Sequence, residues 1–163
     1  MAKKTITITL YISELTYDIY NKTYLVGRSL DDGTKYKEVA NMQANGDEEN
    51  INQIMRSIGN AFTNLKAKLS EYIEENGTTS DNRLFAEASD LTISLKVPSN
   101  FNQATNDTIG TILHQYIVNS AIEDWFMVTN KNDAKNYADL SASNLVELRK
   151  VINKRVRPER PII

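Results

Sequence analysis

Residues 105–152, TNDTIGTILHQYIVNSAIEDWFMVTNKNDAKNYADLSASNLVELRKVI, decide the fold, because they hold two helical apolar patterns joined by a short connection. The first pattern predicts a helix that begins near Thr105 or Asn106. The second follows Thr129 to Asp133, whose side chains can cap a helix. A short connection makes two helices antiparallel neighbours, so a helical hairpin is predicted. The predicted buried residues are Ile109, Ile112, Leu113, Tyr116, Ile117, Ala121, Trp125, Phe126 and Val128 in the first helix, and Ala134, Tyr137, Ala138, Ser141, Leu145, Leu148 and Ile152 in the second.

A longer helical pattern precedes this hairpin. Apolar residues keep a spacing of three and four from Ile51 to Ile73, about six turns, which predicts an amphipathic helix. Acidic residues at 47–49 suit its N-terminus and Gly77 suits its C-terminus. At about 1.5 Å per residue, such a helix spans roughly 40 Å. Residues 77–90 are predicted to form a polar connection.

Two stretches have the alternating pattern of strands with one buried face. In residues 5–12, TITITLYI, threonines alternate with isoleucine and leucine, and residues 91–97 alternate in the same way until Pro98 stops the strand. We expect the two strands to pair. A ribbon of two strands is marginally stable alone, so it must pack on helices or be extended by strands of another copy.

The segment from Ser13 to Arg28 fits two structures, because its apolar residues suit a helix and Leu15, Tyr17 and Ile19 also suit a strand. We favour the helix and expect Gly27 to end it in a left-handed conformation. Residues 31–33, Asp-Asp-Gly, have turn composition, so residues 31–46 are predicted to be mostly loop.

These elements define an α+β fold that is mainly helical. It consists of a long amphipathic helix and an antiparallel helical hairpin, with a small two-stranded β element and an extended C-terminal tail. The length of 163 residues fits one domain. We assign residues 1–153 to that domain and residues 154–163 to an extended basic C-terminal arm, since Pro158 prevents the last helix from continuing.

Composition excludes several classes of protein. The chain has no cysteine, so disulfides, thiolate nucleophiles and Cys-ligated metals are absent. A single histidine excludes a site with two imidazoles. The first residues, MAKKTITITL, lack the apolar run of a signal peptide, and no stretch approaches the roughly 18 apolar residues of a membrane span, so no membrane association is expected.

No group of residues has the spacing of a catalytic, metal or cofactor site. His114 lies among apolar residues without a nucleophile motif, which favours a histidine packed at the core. The acids at 31–32 and 47–49 lack the alternating spacing of a calcium loop. Residues 27–29, Gly-Arg-Ser, lack the spacing of a phosphate-binding loop. The sequence therefore supports neither an enzyme nor a cofactor.

Charge is distributed unevenly behind a net value of −2. Residues 131–163 hold eight Lys and Arg against four acids, whereas residues 1–130 hold eleven against seventeen. A basic arm that follows a helix can bind phosphate backbones. It can equally dock on an acidic neighbour, such as the acidic body of an identical subunit. Interspersed acids and the negative total count against direct nucleic-acid contact. The predicted partner-binding residues are Arg155, Val156, Arg157, Pro158, Arg160 and Ile162, with Tyr20 and Tyr24 as weaker candidates because tyrosine is enriched at interfaces.

Three stretches resemble small virion proteins of tailed phages that infect gut Bacteroidetes, including crAss-like phages. They are TYDIYNKTYLVGRS, EVANMQANGDEENINQIMRSIGNAF and LHQYIVNSAIEDWFMVTNKNDAKNYADLSASNLVELRKVINKRVRPERP, and together they cover more than half of the chain. The resemblance implies a structural protein of the head-tail connector, or neck, that forms a ring or adaptor. Its partners would be identical subunits, the portal and neighbouring tail or neck proteins.

Other functions stay open at this point. A tail terminator or tail-completion protein would be equally small and equally multimeric, and a helical nucleic-acid-binding module would use the basic C-terminus. The resemblance implies a place at the head-tail junction of the virion after assembly in the host cytoplasm.

Overall fold

The computed structural model describes residues 4–30, 33–34, 36–44, 48–73, 82–84, 89–156 and 161–162. In chain order they form strand β1 (Lys4–Tyr11), helices α1 (Ile12–Leu30), α2 (Tyr36–Met42) and α3 (Glu48–Lys68), strand β2 (Asp90–Val97), a single 3-10 turn (Gln103–Thr105), and helices α4 (Asn106–Thr129) and α5 (Lys131–Ile152). The predicted fold class, α+β and mainly helical, is confirmed.

Helix α4 lies at the centre of the fold. Four consecutive residues, 116–119, are buried, which requires neighbours on every side of the helix. Those neighbours are α5, α3, α1, α2 and β1. The predicted apolar stripe is confirmed except at two positions: Trp125 is only partly buried, and Val128 is 85% exposed.

The predicted helical hairpin is confirmed, and its connection is a single residue, Asn130. The backbone oxygen of Asn130 accepts hydrogen bonds from the N–H groups of Asp133 (3.3 Å) and Ala134 (3.2 Å). Its side-chain Nδ2 donates to Oδ2 of Asp133 at 2.6 Å. Phe126 and Tyr137 then meet edge to face, with ring centroids 5.4 Å apart, so the two helices are locked together beside the turn.

The two strands pair, as predicted, and their register is antiparallel, from Lys4 opposite Val97 to Tyr11 opposite Asp90. One face of the ribbon joins the core, while the threonines at 5, 7 and 9 lie on the exposed face. The buried positions of the inner face are Ile6, Leu10, Leu91, Ile93, Leu95 and Val97. The ribbon therefore obtains its stability by packing on helices.

Residues 13–28 are helical, as favoured, but the predicted end at Gly27 is wrong. Helix α1 continues to Leu30, and Gly27 is buried within it. The left-handed conformation occurs instead at Gly33, with φ of +85°. Burial of Gly27 against neighbouring residues outweighs the weak helix propensity of glycine.

The prediction of a loop over residues 31–46 is also wrong, because it contains α2. This helix has seven residues, too few to show a helical period. Its end is anchored to two other helices: Nε1–H of Trp125 donates to the backbone oxygen of Met42 (2.8 Å), and N–H of Ala44 donates to Oγ1 of Thr23 (3.0 Å).

Helix α3 is shorter than predicted. It ends at Lys68 and spans about 31 Å. Tyr72 and Ile73 continue the apolar pattern outside the helix, because Ile73 forms a bridge with Leu95 of β2. Pairing with the strand thus replaces the last predicted turn. Gly77, the expected end of the helix, lies outside the described residues.

We predict that Thr23→Val lowers the free energy of unfolding by about 1–3 kcal/mol. Valine has nearly the same shape, but it leaves the buried N–H of Ala44 without its acceptor. Urea unfolding measures the change. The control, Ser29→Ala, removes an exposed hydroxyl from the same helix and should change stability by less than about 0.5 kcal/mol. Equal effects of the two substitutions would contradict the anchoring role of Thr23.

Candidate functional site

The first residues of the C-terminal arm are fixed to the domain. Arg155 forms an antiparallel bridge with the buried Phe101. Two hydrogen bonds flank the bridge, from N–H of Asn102 to the oxygen of Lys154 (3.1 Å) and from N–H of Val156 to the oxygen of Asn100 (2.8 Å). This pairing fixes residues 154–156 beside residues 100–102.

The predicted partner-binding residues of the arm divide into two groups. The side chains of Arg155, Val156 and Ile162 are exposed, and Ile162 is exposed completely. The other three, Arg157, Pro158 and Arg160, lie outside the described residues. The described part of the arm thus presents apolar side chains to solvent beside a cation.

The two predicted tyrosines lie in different environments. Tyr24 is exposed on α1, whereas Tyr20 is partly buried against the core. Tyr17 is the most exposed large apolar residue of the helix, at 64%, and Leu25 lies exposed beside Tyr24. Residues at i, i+7 and i+8 share one face of a helix, so Tyr17, Tyr24 and Leu25 form what we call the α1 tyrosine face. Sequence reasoning missed Tyr17 because the choice between helix and strand was open.

A groove of about 720 Å³ runs along β1, between that strand and helices α1 and α4. We call it the β1 groove. Its strand wall is residues 7–11, and the ionisable side chains of its helical walls are Glu14, Asp18 and Lys22 from α1 and Asp107 and His114 from α4. Acidic groups outnumber lysine three to one, so the groove attracts cations.

The strand wall of the groove has an unpaired backbone edge. N–H of Lys96 donates to the oxygen of Tyr72 at 2.5 Å, so the backbone of Lys96 points away from β1. Thr5 is opposite Lys96. Since alternate residues of an antiparallel pair direct N–H and C=O to the same side, Thr5, Thr7 and Thr9 direct theirs away from β2. No residue in the described ranges pairs with this edge.

His114 is not a core histidine, because its side chain is 23% exposed at the groove. Its Nε2 lies 2.5 Å from Oδ2 of Asp18, which joins α1 to α4. The separation of 96 positions along the chain hid this pair from sequence reasoning. A nucleophile would complete a catalytic triad, but no hydroxyl in the described part of the chain is hydrogen-bonded to His114. The pair therefore holds the two helical walls of the groove, α1 and α4, next to each other.

A second, polar cleft of about 440 Å³ separates α3 from α5 over one face of α4. Partial burial, followed by the neighbouring Asp124, raises the pKa of Glu123, and Lys68 opposes these effects. Burial also raises the pKa of Tyr116. The hydroxyl of Ser57 donates to Oδ2 of Asp124 at 2.6 Å, which ties α3 to α4.

The described residues contain no group of three or more metal-ligating side chains. None of the helices in the described ranges combines the length and the apolar composition that a bilayer crossing needs.

These features define a mainly helical α+β protein in which the β1 edge is unpaired among the described residues and residues 154–156 pair with residues 100–102. Comparisons with protein-family models, curated proteins and solved structures found no match to this chain.

We predict that Glu123→Gln stabilises the protein at pH 7. The raised pKa means that folding favours the protonated carboxyl. That contribution is complete below the ordinary value of 4.5 and is lost as pH rises through the folded pKa. The gain at pH 7 should stay below about 1 kcal/mol, because the group is partly solvated.

Urea unfolding at pH 7 and below pH 4.5 checks this sign, since the gain should disappear at the lower pH. Glu147→Gln, which changes an exposed carboxylate on α5, is the control and should have little effect at either pH. A Glu123→Gln variant that is less stable than the parent at pH 7 would show that contact with Lys68 outweighs burial.

Proposed function

We propose that the chain is a non-enzymatic structural subunit of a tailed-phage virion, a ring or adaptor component of the head-tail connector. It works by packing against identical subunits, the portal and neighbouring neck proteins. The observation that carries the proposal is that residues 154–156 pair with 100–102, which fixes the start of the basic segment to the domain while Arg155, Val156 and Ile162 remain exposed. In our proposal, these exposed side chains contact neighbouring subunits.

The α1 tyrosine face supports the same proposal. Tyr17, Tyr24 and Leu25 are each at least 45% exposed and adjoin one another on the helix. Aromatic residues with a polar tip are enriched where proteins meet. A subunit with an arm and a separate aromatic face has two different contact surfaces, and contact between different surfaces of identical subunits generates rings.

The resemblance of three long stretches to phage virion proteins directs the proposal to the neck. The distribution of charge agrees with it, because the acidic first 130 residues of one subunit can attract the basic arm of the next.

We predict that the full chain forms oligomers whose size rises with concentration, and that Tyr17→Gln, Tyr24→Gln and Leu25→Gln together shift the population toward monomer. Sedimentation velocity measures both effects. The control replaces Leu140 and Val146, exposed apolar residues of α5, with glutamine and should leave the oligomers unchanged. Immunogold should label the necks of virions. A chain that stays monomeric at high concentration, with unlabelled virions, would refute the structural role.

Two truncations separate the arm's role in folding from its role in assembly. Ending the chain after Val156 keeps the hydrogen bonds to Asn100 and Asn102, so the thermal midpoint should stay within about 2 °C while oligomers are lost. Ending it after Asn153 removes those bonds and should also lower the midpoint. Oligomers that persist after the first truncation would remove the arm from the proposal.

A further inference from the structure

We propose that the open edge of β1 is the receptor for the C-terminal arm of a second copy, so that residues 157–163 of one subunit add to β1 of the next as a third strand. This inference rests on the proposed function, since it names the surface on which the arm docks. The occupant and the receptor are both present in one chain.

The backbone of β1 is prepared for such an addition. Thr5, Thr7 and Thr9 direct both N–H and C=O away from β2, at the two-residue spacing that a neighbouring strand requires, and Thr7 and Thr9 line the β1 groove. The opposite edge of the ribbon differs at Leu95 and Lys96, where β2 is already paired with Ile73 and Tyr72. The edge of β1 is the one that borders the groove, so we assign it as the site of strand addition.

Charge selects the arm as the occupant. The groove presents Glu14 and Asp107 together with the Asp18–His114 pair, and Lys22 is the one lysine among its described lining residues. The segment that follows Val156, RPERPII, has two arginines, one glutamate and an apolar end. Arg160 matches the acidic walls, and the apolar end matches Ile8, which is partly exposed where β1 borders the groove.

The prolines of the arm are compatible with strand addition in one register. If Arg157 and Glu159 direct their N–H groups to β1, the nitrogen of Pro158 faces away, where no donor is needed. Arg160 and Ile162 then share the face of the added strand that meets the groove, because side chains alternate along a strand. In this register Pro161 follows Arg157 and Glu159 on the side of β1, and it has no N–H group to donate.

Of residues 157–163, the two that the structure describes, Pro161 and Ile162, are exposed, and neither lines the groove. We therefore assign the occupant to another copy. The arm leaves the domain beside Asn100, whereas the receptor is the edge of β1. Donor and receptor are different surfaces, so the contact is heterologous, as a ring requires.

Proline substitution tests the edge without breaking the ribbon. Thr9 and Thr92 are opposite one another, and each directs its N–H away from the other strand. Thr9→Pro removes a donor from the groove edge, and Thr92→Pro removes one from the other edge. Both variants should keep the circular dichroism spectrum and similar thermal midpoints, which verifies that each remains folded.

The binding probe is a fluorescent peptide of sequence RPERPII, titrated with the full-length protein and followed by anisotropy. We expect saturable binding that Thr9→Pro weakens by at least about tenfold and Thr92→Pro leaves within about twofold. Sedimentation velocity on the same proteins should show loss of oligomers only for Thr9→Pro. Undiminished peptide binding by folded Thr9→Pro, or no peptide binding by the parent chain, would overturn the inference.

A charge exchange provides a second test that does not depend on proline. Arg160→Glu should abolish oligomers, and Asp107→Arg in the same chain should restore them, because the pair is then reversed in sign. The control combines Arg160→Glu with Glu147→Arg, which changes an exposed residue of α5. This combination should not restore the oligomers. Restoration by the control alone would place the arm outside the groove.

These measurements separate the two proposals. Oligomers that survive Thr9→Pro would overturn the receptor assignment and leave the connector function standing. Peptide binding that depends on Thr9 in a chain that never forms oligomers would support the receptor and refute the ring.

Discussion

Helix α4 has to be covered on every side, and most of the architecture follows from that requirement. Its length is 24 residues, and its buried positions include 116–119 without interruption. One neighbouring helix covers only a stripe of such a surface. Helix α5 covers one side through the Asn130 turn, α3 covers another, and α1, α2 and the ribbon close the rest. Elements separated by about a hundred residues are thereby held in one core.

Elements with a strong local pattern could be predicted from the sequence. The hairpin of α4 and α5 and the two strands have regular periods over seven or more residues, and the structure places all four where their patterns indicate. Errors occurred where long-range contacts decide the local structure. Ile73 follows the helical spacing of α3, yet it pairs with Leu95. Likewise, α2 is too short to show a period, and contacts from Trp125 and Thr23 fix its end.

The surfaces could be predicted only in part, for the same reason. Charge counting located the basic arm, because that property is local to the sequence. Charge counting could not locate the receptor that we propose for the arm. The β1 groove combines strand β1 with residues of α1 and α4 that lie nearly a hundred positions apart. The Asp18–His114 pair illustrates the point: as a single residue among apolar neighbours, His114 gives no sign of a partner on α1. Tyr17 became recognisable as exposed only once α1 was known to be a helix.

The two edges of the ribbon are treated differently, and this difference is the strongest structural argument that β1 has a partner. Proteins protect exposed strand edges with proline, inward charges, bulges or a covering segment, because an unprotected edge pairs with other chains. Residues 72–73 cover β2 at Leu95 and Lys96. From Thr5 to Thr9, strand β1 has an unbroken register and no proline, its side chains alternate threonine with isoleucine, and no described residue covers its edge. This open edge borders an acidic groove, and residues 154–160 of the same chain are basic, so our proposed strand exchange has the two properties that it requires: a free backbone and a charge that selects the partner.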